Sequence, residues 1–211
     1  MCTLFCVEPA YAYVPEFTNQ PTLHDTTLIA TPHLSQVYFG ELTGMPHTYE
    51  ISVRESFTLS IELRTLQVAS HVSDVSGIVI KVPRKGRVEE VVRLSGGDVV
   101  WEEREDTLTG DTYLAGATFS KELDPGTYRI EVHTPNNVEK YMLAIGTTEE
   151  MTLGYFELIH RLLKIKDFYG TSRMLIILSP FLYWPLVGII VVVISVWYGR
   201  QLICVNRIAS T

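Results

Sequence analysis

The chain has 211 residues and a formal net charge of −7, with 24 acidic side chains against 17 Lys and Arg. Residues 13–150 carry 21 acidic and 11 basic side chains, whereas residues 151–211 carry 2 and 6. This acidic body argues against a nucleic-acid-binding protein, which presents a basic face, and suits a domain held at a membrane by a basic, apolar tail. The cysteines, Cys2, Cys6 and Cys204, lie outside the predicted domain, so neither a disulfide framework nor a Cys-based metal site is expected.

The amino-terminal stretch places two small residues, Ala10 and Ala12, just after an apolar segment. Signal peptidase accepts only small side chains at positions −3 and −1 relative to its cleavage site. Ala10 and Ala12 fit these positions, so the pattern predicts a cut before Tyr13. Residues 1–12 are then the remnant of a signal peptide. Because this stretch has no basic start, we interpret Met1 as an internal methionine of a longer reading frame. The alternative is a chance Ala-x-Ala in a disordered amino terminus.

Residues 13–34 contain Pro15, Pro21 and Pro32 and are expected to form an extended, loosely ordered lead-in. From residue 35 to residue 147 the helical period is absent, and short runs of alternating apolar and polar side chains are separated by turn residues. This pattern predicts an all-β, jelly-roll-like β-sandwich. Its strands are expected at 36–42, 47–53, 57–66, 75–82, 88–94, 117–123, 127–134 and 140–146, with a hairpin joining the last two at 135–137.

The stretch WEEREDTLTGDTY, residues 101–113, is the candidate ligand loop. Clustered carboxylates can bind Ca²⁺ weakly or act as acid and base, but charge runs in long loops are usually solvated surface, which is the favoured interpretation. Two aromatic residues flank the cluster and could form a platform for a sugar or a peptide, although we expect core anchors. The residues of this loop are Trp101, Glu102, Glu103, Glu105, Asp106, Asp111 and Tyr113.

The order of strands and their closing motif resemble the bacterial pre-peptidase C-terminal (PPC) domain over about residues 36–146. The motif is Asp124-Pro125-Gly126-Thr127-Tyr128, followed by the strand that begins Tyr141-Met142-Leu143. The resemblance implies an accessory β-sandwich of a secreted protein, used for targeting or for binding polymers and surfaces. Some members of that family bind calcium through aspartates in the strand corresponding to 74–80, where this chain keeps Asp74 but has Ser76 and Gly77 in place of further acids.

Residues 150–170 are predicted to form an amphipathic juxtamembrane helix. Lys166 is the one break in its apolar face. A Lys- and Arg-rich amphipathic helix next to a membrane span is expected to lie in the membrane interface. The alternatives are packing on the β domain or on another protein. The apolar face comprises Tyr155, Leu158, Ile159, Leu162, Leu163 and Ile165, and the polar face comprises Glu157, His160, Arg161, Lys164 and Asp167.

Residues 174–198 contain no charged side chain, and their length predicts one C-terminal transmembrane helix followed by a cytosolic tail at 199–211. The positive-inside rule, counted simply, would put the amino-terminal part in the cytosol, because four basic residues precede the span and two follow it. We favour the opposite topology, with the β domain outside, since the preceding charges belong mostly to a helix that can rest on anionic headgroups. The whole layout resembles that of bacterial membrane-anchored proteins with such a domain outside the cell.

The sequence therefore favours an exported, single-pass, membrane-anchored binding module at the cell surface or envelope, without enzymatic activity. Its expected partners are membrane lipid and a surface polymer, a sugar or a protein, and not nucleic acid. No catalytic residue, cofactor or firm metal site is assigned. Weak Ca²⁺ binding is the one cofactor interaction that the sequence leaves open. A second hypothesis is an accessory subunit that packs on a membrane partner through residues 151–198. A third is a hydrolase that uses carboxylates of the candidate ligand loop.

Overall fold

The structure is a computed structural model, and it describes residues 13–67, 74–83, 85–106, 108–150, 153–178, 183, 187–197 and 200. Ala10, Ala12 and residues 201–211 of the expected tail lie outside the described residues. The signal-peptide prediction therefore stays a prediction.

Two facing β-sheets form the body of the described chain. One sheet has six strands in the order β1-β3-β11-β5-β9-β8, and the other has five in the order β2-β4-β10-β6-β7. This arrangement confirms the predicted β-sandwich. The strands are β1 Val14–Thr18, β2 Thr26–Ile29, β3 Gln36–Glu41, β4 His47–Val53, β5 Phe57–Leu66, β6 Ser76–Lys81, β7 Glu89–Leu94, β8 Glu102–Glu105, β9 Thr112–Leu123, β10 Gly126–His133 and β11 Lys140–Ile145.

The lead-in of residues 13–34 is more ordered than expected, because it contains two paired strands. Strand β1 pairs parallel to β3 in one sheet, and β2 pairs parallel to β4 in the other. Pro15 is tolerated because β1 is an edge strand. Between the two strands, the Gln20 side chain donates to Thr48 O (2.8 Å) and accepts from Thr48 N (2.7 Å). These bonds fasten the segment to β4.

The hairpin predicted at 135–137 is wrong, since β10 and β11 belong to different sheets. The connection turns tightly: Thr134 N donates to Asn137 Oδ1 (3.1 Å), and Asn137 adopts a positive φ of 50°. The turn carries the chain across the end of the sandwich. Turn residues fix a local change of direction, but they do not determine which strand the next segment pairs with.

The main hydrophobic core lies between the two sheets. Leu59, Ile61 and Leu63 of β5 all point into it and are almost fully buried, as the alternation of that strand predicts. Tyr49 and Tyr141 enter the same core from opposite sheets. Burying an aliphatic side chain of this size contributes about 1.5–3 kcal/mol, so this alternation is a principal source of stability.

A second core lies on the outer face of the six-stranded sheet, under helix α1 (Tyr155–Tyr169). Val37, Phe39 and Met142 project outward from β3 and β11, where they meet Leu158 and other residues of the helix. The expectation that this helix lies in the membrane interface is wrong for its apolar face, because the sheet covers that face. A helix buries its apolar stripe on whatever apolar surface is nearest, and the outward residues of β3 and β11 supply one. The buried helix residues are Leu158, Leu162 and Ile165.

After helix α1 the chain runs through a short 3₁₀ segment, Arg173–Leu178. Gly170 ends the helix in the left-handed conformation (φ 71°), and its N–H reaches carbonyls of the last turn. Residues 187–197 are again helical. In the stretches that the structure describes, no helix is long and apolar enough to cross a membrane. Several positions of the span expected at 174–198 lie outside the described residues.

Candidate ligand site at the 101–113 hairpin

The candidate ligand loop is a β-hairpin rather than an irregular loop. Strand β8 pairs antiparallel with β9 and forms the edge of the six-stranded sheet. Glu102, Glu103 and Glu105 are all exposed on this strand, and Arg104 between them pairs with Glu102 (2.8 Å). Charged side chains on an edge strand discourage pairing with another chain. The acidic run therefore has a structural role in addition to any ligand that it binds.

The turn of this hairpin is organised around Asp106, which is buried rather than solvated. Asp106 Oδ1 accepts hydrogen bonds from the amides of Leu108 (2.9 Å) and Thr109 (3.1 Å). Asp106 Oδ2 accepts a hydrogen bond from the Tyr13 hydroxyl (2.6 Å). The prediction of a solvated loop is therefore wrong for this carboxylate, because its capacity as an acceptor is used to shape the turn.

Asp111, on the other side of the turn, is also buried and forms an ion pair with helix α1. Its Oδ2 lies 2.9 Å from Lys166 Nζ. The Lys166 ammonium donates its hydrogen bond to Thr109 O (2.9 Å). The one break in the apolar face of the helix is therefore explained, because Lys166 is the point at which the helix is attached to the hairpin.

Two tyrosine hydroxyls share the environment of Asp106. Burial and the neighbouring Asp106 carboxylate hold the pKa of Tyr13 well above its usual value. Burial, followed by the charges of Asp106 and Asp111, likewise raises the pKa of Tyr169. Both hydroxyls therefore stay protonated at neutral pH and can donate. Tyr13 uses this capacity on Asp106, so the cluster holds the hairpin, β1 and the helix together.

Trp101 and Tyr113 do not form a shared platform. Trp101 packs against the core between the sheets, and its Nε1 donates to Gly96 O (3.0 Å). Tyr113 is buried in the second core, under the Arg64 guanidinium at 4.7 Å from its ring centroid. The two rings pack in different cores, which is the arrangement expected of core anchors.

A pocket of about 220 Å³ lies beside the hairpin, next to the start of β1. It brings together three residues of the candidate ligand loop, Glu105, Asp106 and Tyr113, with Arg64 of β5. Arg64 Nε donates to Glu62 Oε1 (2.8 Å), which neutralises the guanidinium. Trp101, Glu102, Glu103 and Asp111 do not line this pocket. The remaining lining includes Tyr13, Ser35 and Glu149.

At residues 74–80, where some members of the resembled family bind calcium, the structure shows a hydrogen-bonded turn. The Ser76 hydroxyl donates to Asp74 O (3.1 Å) and accepts from Gly96 N (3.0 Å), so it binds the 94–98 turn to β6. Within the described ranges, no group of three or more His, Cys, Asp or Glu side chains is placed to hold a metal ion. Weak Ca²⁺ binding by the exposed carboxylates of β8 stays a prediction.

Comparison with known proteins gives likenesses of fold alone. The pre-peptidase C-terminal domain of a collagenase from Bacillus anthracis is similar over 61% of this chain and 98% of that domain, at 12% identity and a TM-score of 0.36. A β-glucosidase from Paenibacillus barengoltzii is similar over 64% of this chain, at 12% identity and a TM-score of 0.31. The chain covers only 13% of that glucosidase. No protein-family model and no curated protein matches the sequence.

Sequence reasoning missed several residues of the site because they are distant along the chain. Arg64 reaches the pocket from β5, Tyr13 from the residue just before β1, and Glu149 from the segment after β11. Lys166 does carry a signal, because a lysine that interrupts the apolar face of a helix indicates a buried partner. No comparable pattern marks the other three.

Proposed function

We propose that the chain is a non-enzymatic binding module of the cell envelope, held to a membrane by its C-terminal apolar segment. The β-sandwich lies outside the membrane and the C-terminus lies in the cytosol. The observation that carries the proposal is the helical run Ile189–Ile194, in which six consecutive aliphatic side chains are between 50% and 62% exposed.

Six consecutive helical residues point in every direction around the helix axis. The helix is therefore apolar all round and not only along one stripe. Such a helix is stable inside a large core or in a bilayer. The apolar side chains of the sandwich are already buried in two cores, and neither core includes this run. A bilayer is the environment that best matches it.

Binding is favoured over hydrolysis by the way the hairpin carboxylates are used. Asp106 is bound by Tyr13 and by two backbone amides, and Asp111 is paired with Lys166. These two buried carboxylates hold structure together, so they do not supply the pair free to exchange protons with a substrate that a hydrolase needs. The exposed acids of β8 and the pocket beside them are the surfaces that we assign to a partner, whether surface polymer, sugar or protein.

Membrane attachment is tested with a charge placed in the apolar run. We expect the full chain to stay in the membrane pellet after alkaline carbonate extraction, and the double variant Ile190→Arg, Val192→Arg to be released. The matched control is Val100→Arg, because Val100 is 85% exposed on the sandwich and lies outside the run. Release of the wild-type protein by carbonate would contradict the proposal.

A second candidate function is an accessory subunit of a membrane complex. The apolar face of helix α1 packs on the sheet and cannot contact such a partner. Of the predicted contact region at residues 151–198, we therefore assign the partner contact to the exposed run Ile189–Ile194. Exchanging the run for an unrelated membrane span separates the two functions. Loss of a co-purifying membrane protein in the exchanged chain would favour the accessory subunit, and unchanged ligand binding would favour the binding module.

A further inference from the structure

The pocket beside the hairpin has Tyr13 along one wall, and the two ends of this residue lie in different surroundings. The hydroxyl end meets Asp106. The backbone end is fixed by the next residue, since Val14 N donates to Ser35 O (2.9 Å). Ser35 N in turn donates to Thr148 O (2.7 Å), which sets the chain at Glu149 alongside the start of β1. The residue after Tyr13 and the residue before Glu149 are thus bonded to the same residue, Ser35. Tyr13 and Glu149 both line the pocket.

The charges of the pocket favour a positively charged occupant. Arg64 is the one basic residue in the described lining, and it is already paired with Glu62. Three acidic residues line the same pocket, namely Glu105, Asp106 and Glu149. Asp106 is committed to the turn and to the Tyr13 hydroxyl. Glu149 and Glu105 are exposed side chains that remain able to accept from a donor.

The chain itself has a suitable donor if it is cut where Ala10 and Ala12 predict. Hydrolysis of the Ala12–Tyr13 peptide bond by a signal peptidase consumes one water and leaves a carboxylate on Ala12 and an ammonium group on Tyr13. We propose that this new amino group is bound by Glu149 at the rim of the pocket, so that the processed amino terminus completes the site. The inference rests on the proposed export of the chain.

An ammonium group paired with a carboxylate is harder to deprotonate than an unpaired one. Only the deprotonated amine reacts with acylating reagents. An unperturbed α-amino group has a pKa of about 7.7–8.0, so near neutral pH a substantial part of it is reactive. Pairing with Glu149 raises this pKa, and each unit lowers the reactive fraction by about tenfold. The acylation rate at Tyr13 is therefore a direct measure of the contact.

The experiment uses the chain from Tyr13 onward, including the apolar run, released in detergent from a cleavable fusion so that Tyr13 is the first residue. Acylation at about pH 7.5, near the α-amine pKa, is followed by mass spectrometry at Tyr13 and at the exposed Lys85 as internal reference. We expect Glu149→Gln to raise the rate at Tyr13 severalfold. Glu150→Gln is the matched control, because Glu150 is exposed next to Glu149 but does not line the pocket. It should leave the rate unchanged.

A second form that retains Ala12 keeps the proposal testable without substituting Glu149. Its amino group is one residue further from the pocket and should react faster than that of the Tyr13 form. Equal rates in the wild-type and Glu149→Gln chains would overturn the docking, and export would be unaffected. Amino-terminal sequencing of protein made in cells that finds a residue other than Tyr13 would overturn the processing step, while carbonate extraction reports membrane attachment separately.

Discussion

Lys166 Nζ on helix α1 lies 2.9 Å from Asp111 Oδ2 in the β8–β9 turn, and the two residues are only 2% and 8% exposed. This ion pair joins the helix to the hairpin beside the candidate pocket. It also explains why a charged residue interrupts the apolar face of the helix. Removing one partner of a buried ion pair leaves the other charge buried and uncompensated. This destabilises the fold more than replacing both partners with uncharged residues.

We therefore expect Lys166→Met to lower the free energy of unfolding by about 3–5 kcal/mol, since Asp111 stays buried without its partner. The double variant Lys166→Met, Asp111→Asn should recover part of this loss. Urea unfolding of the detergent-solubilised chain measures both. Lys164→Met is the control, because Lys164 is exposed on the same helix. A loss for Lys166→Met no larger than for Lys164→Met would show that the pair does not hold the helix.

The Asp106 turn gives a second prediction. Asp106→Ala removes the acceptor of two backbone amides and of the Tyr13 hydroxyl. It should cost more than Tyr13→Phe, which removes one hydrogen bond to a charged group, worth about 1.5–3 kcal/mol. Thermal unfolding of both variants ranks them. Asp98→Ala, at an exposed position of another turn, is the control. The reverse ranking would mean that Asp106 does not organise the turn.

The pH dependence of stability should include a contribution from His47. Its ring is buried beside Tyr141, with Nδ1 2.8 Å from the tyrosine hydroxyl, and burial lowers the His47 pKa. Below about pH 6.5 the unfolded chain binds a proton that the folded chain does not. Stability is therefore expected to fall as the pH drops below that value, by up to about 1.4 kcal/mol per pH unit.

Urea unfolding at several pH values, in wild type and in His47→Gln, isolates this contribution. The variant should lose stability less steeply between about pH 6.5 and 5, because it has no ring to protonate. His160→Gln is the matched control, since His160 is exposed on helix α1. Parallel curves for wild type and His47→Gln would contradict the prediction.

Gly40 is predicted to tolerate no side chain. A Cβ at this position would lie 2.6 Å from the Tyr141 ring, and Tyr141 is held by His47 and by Tyr49, 2.7 Å away. Because the ring cannot move aside, Gly40→Ala should destabilise the protein by about 1–3 kcal/mol. Gly154→Ala is the control, since nothing lies within 4 Å of a Cβ there. Similar thermal midpoints for the two variants would contradict the packing.

The sequence predicts best where one face of a strand is buried. The alternation of Leu59, Ile61 and Leu63 predicts β5 with its bounds, because a period of two reports directly which side meets a core. Strand β3 is harder to interpret, since Val37 and Phe39 face the helix while Tyr38 faces the other sheet. Because β3 is buried on both faces, its apolar residues do not alternate with polar ones. The sequence therefore does not indicate which side chains face the helix and which face the other sheet.

The candidate site is predicted only in part, for two physical reasons. Whether a charged side chain is solvated or buried depends on its partner, and Asp111 finds its partner 55 residues along the chain, at Lys166. The turn at 135–137 does not determine which sheet the next strand joins, and β10 and β11 lie in different sheets. Trp101 and Tyr113 are close in sequence, yet the hairpin places them in different cores.

The measurement that tests the central claim most directly is protease accessibility in intact spheroplasts that carry the full chain with an epitope at its C-terminus. If the β-sandwich lies outside and the apolar run spans the membrane, added protease should remove the sandwich and leave a small, tagged, protected fragment. If the sandwich survives in intact spheroplasts and is digested only after lysis, the domain lies in the cytosol. That result would contradict an exported binding module.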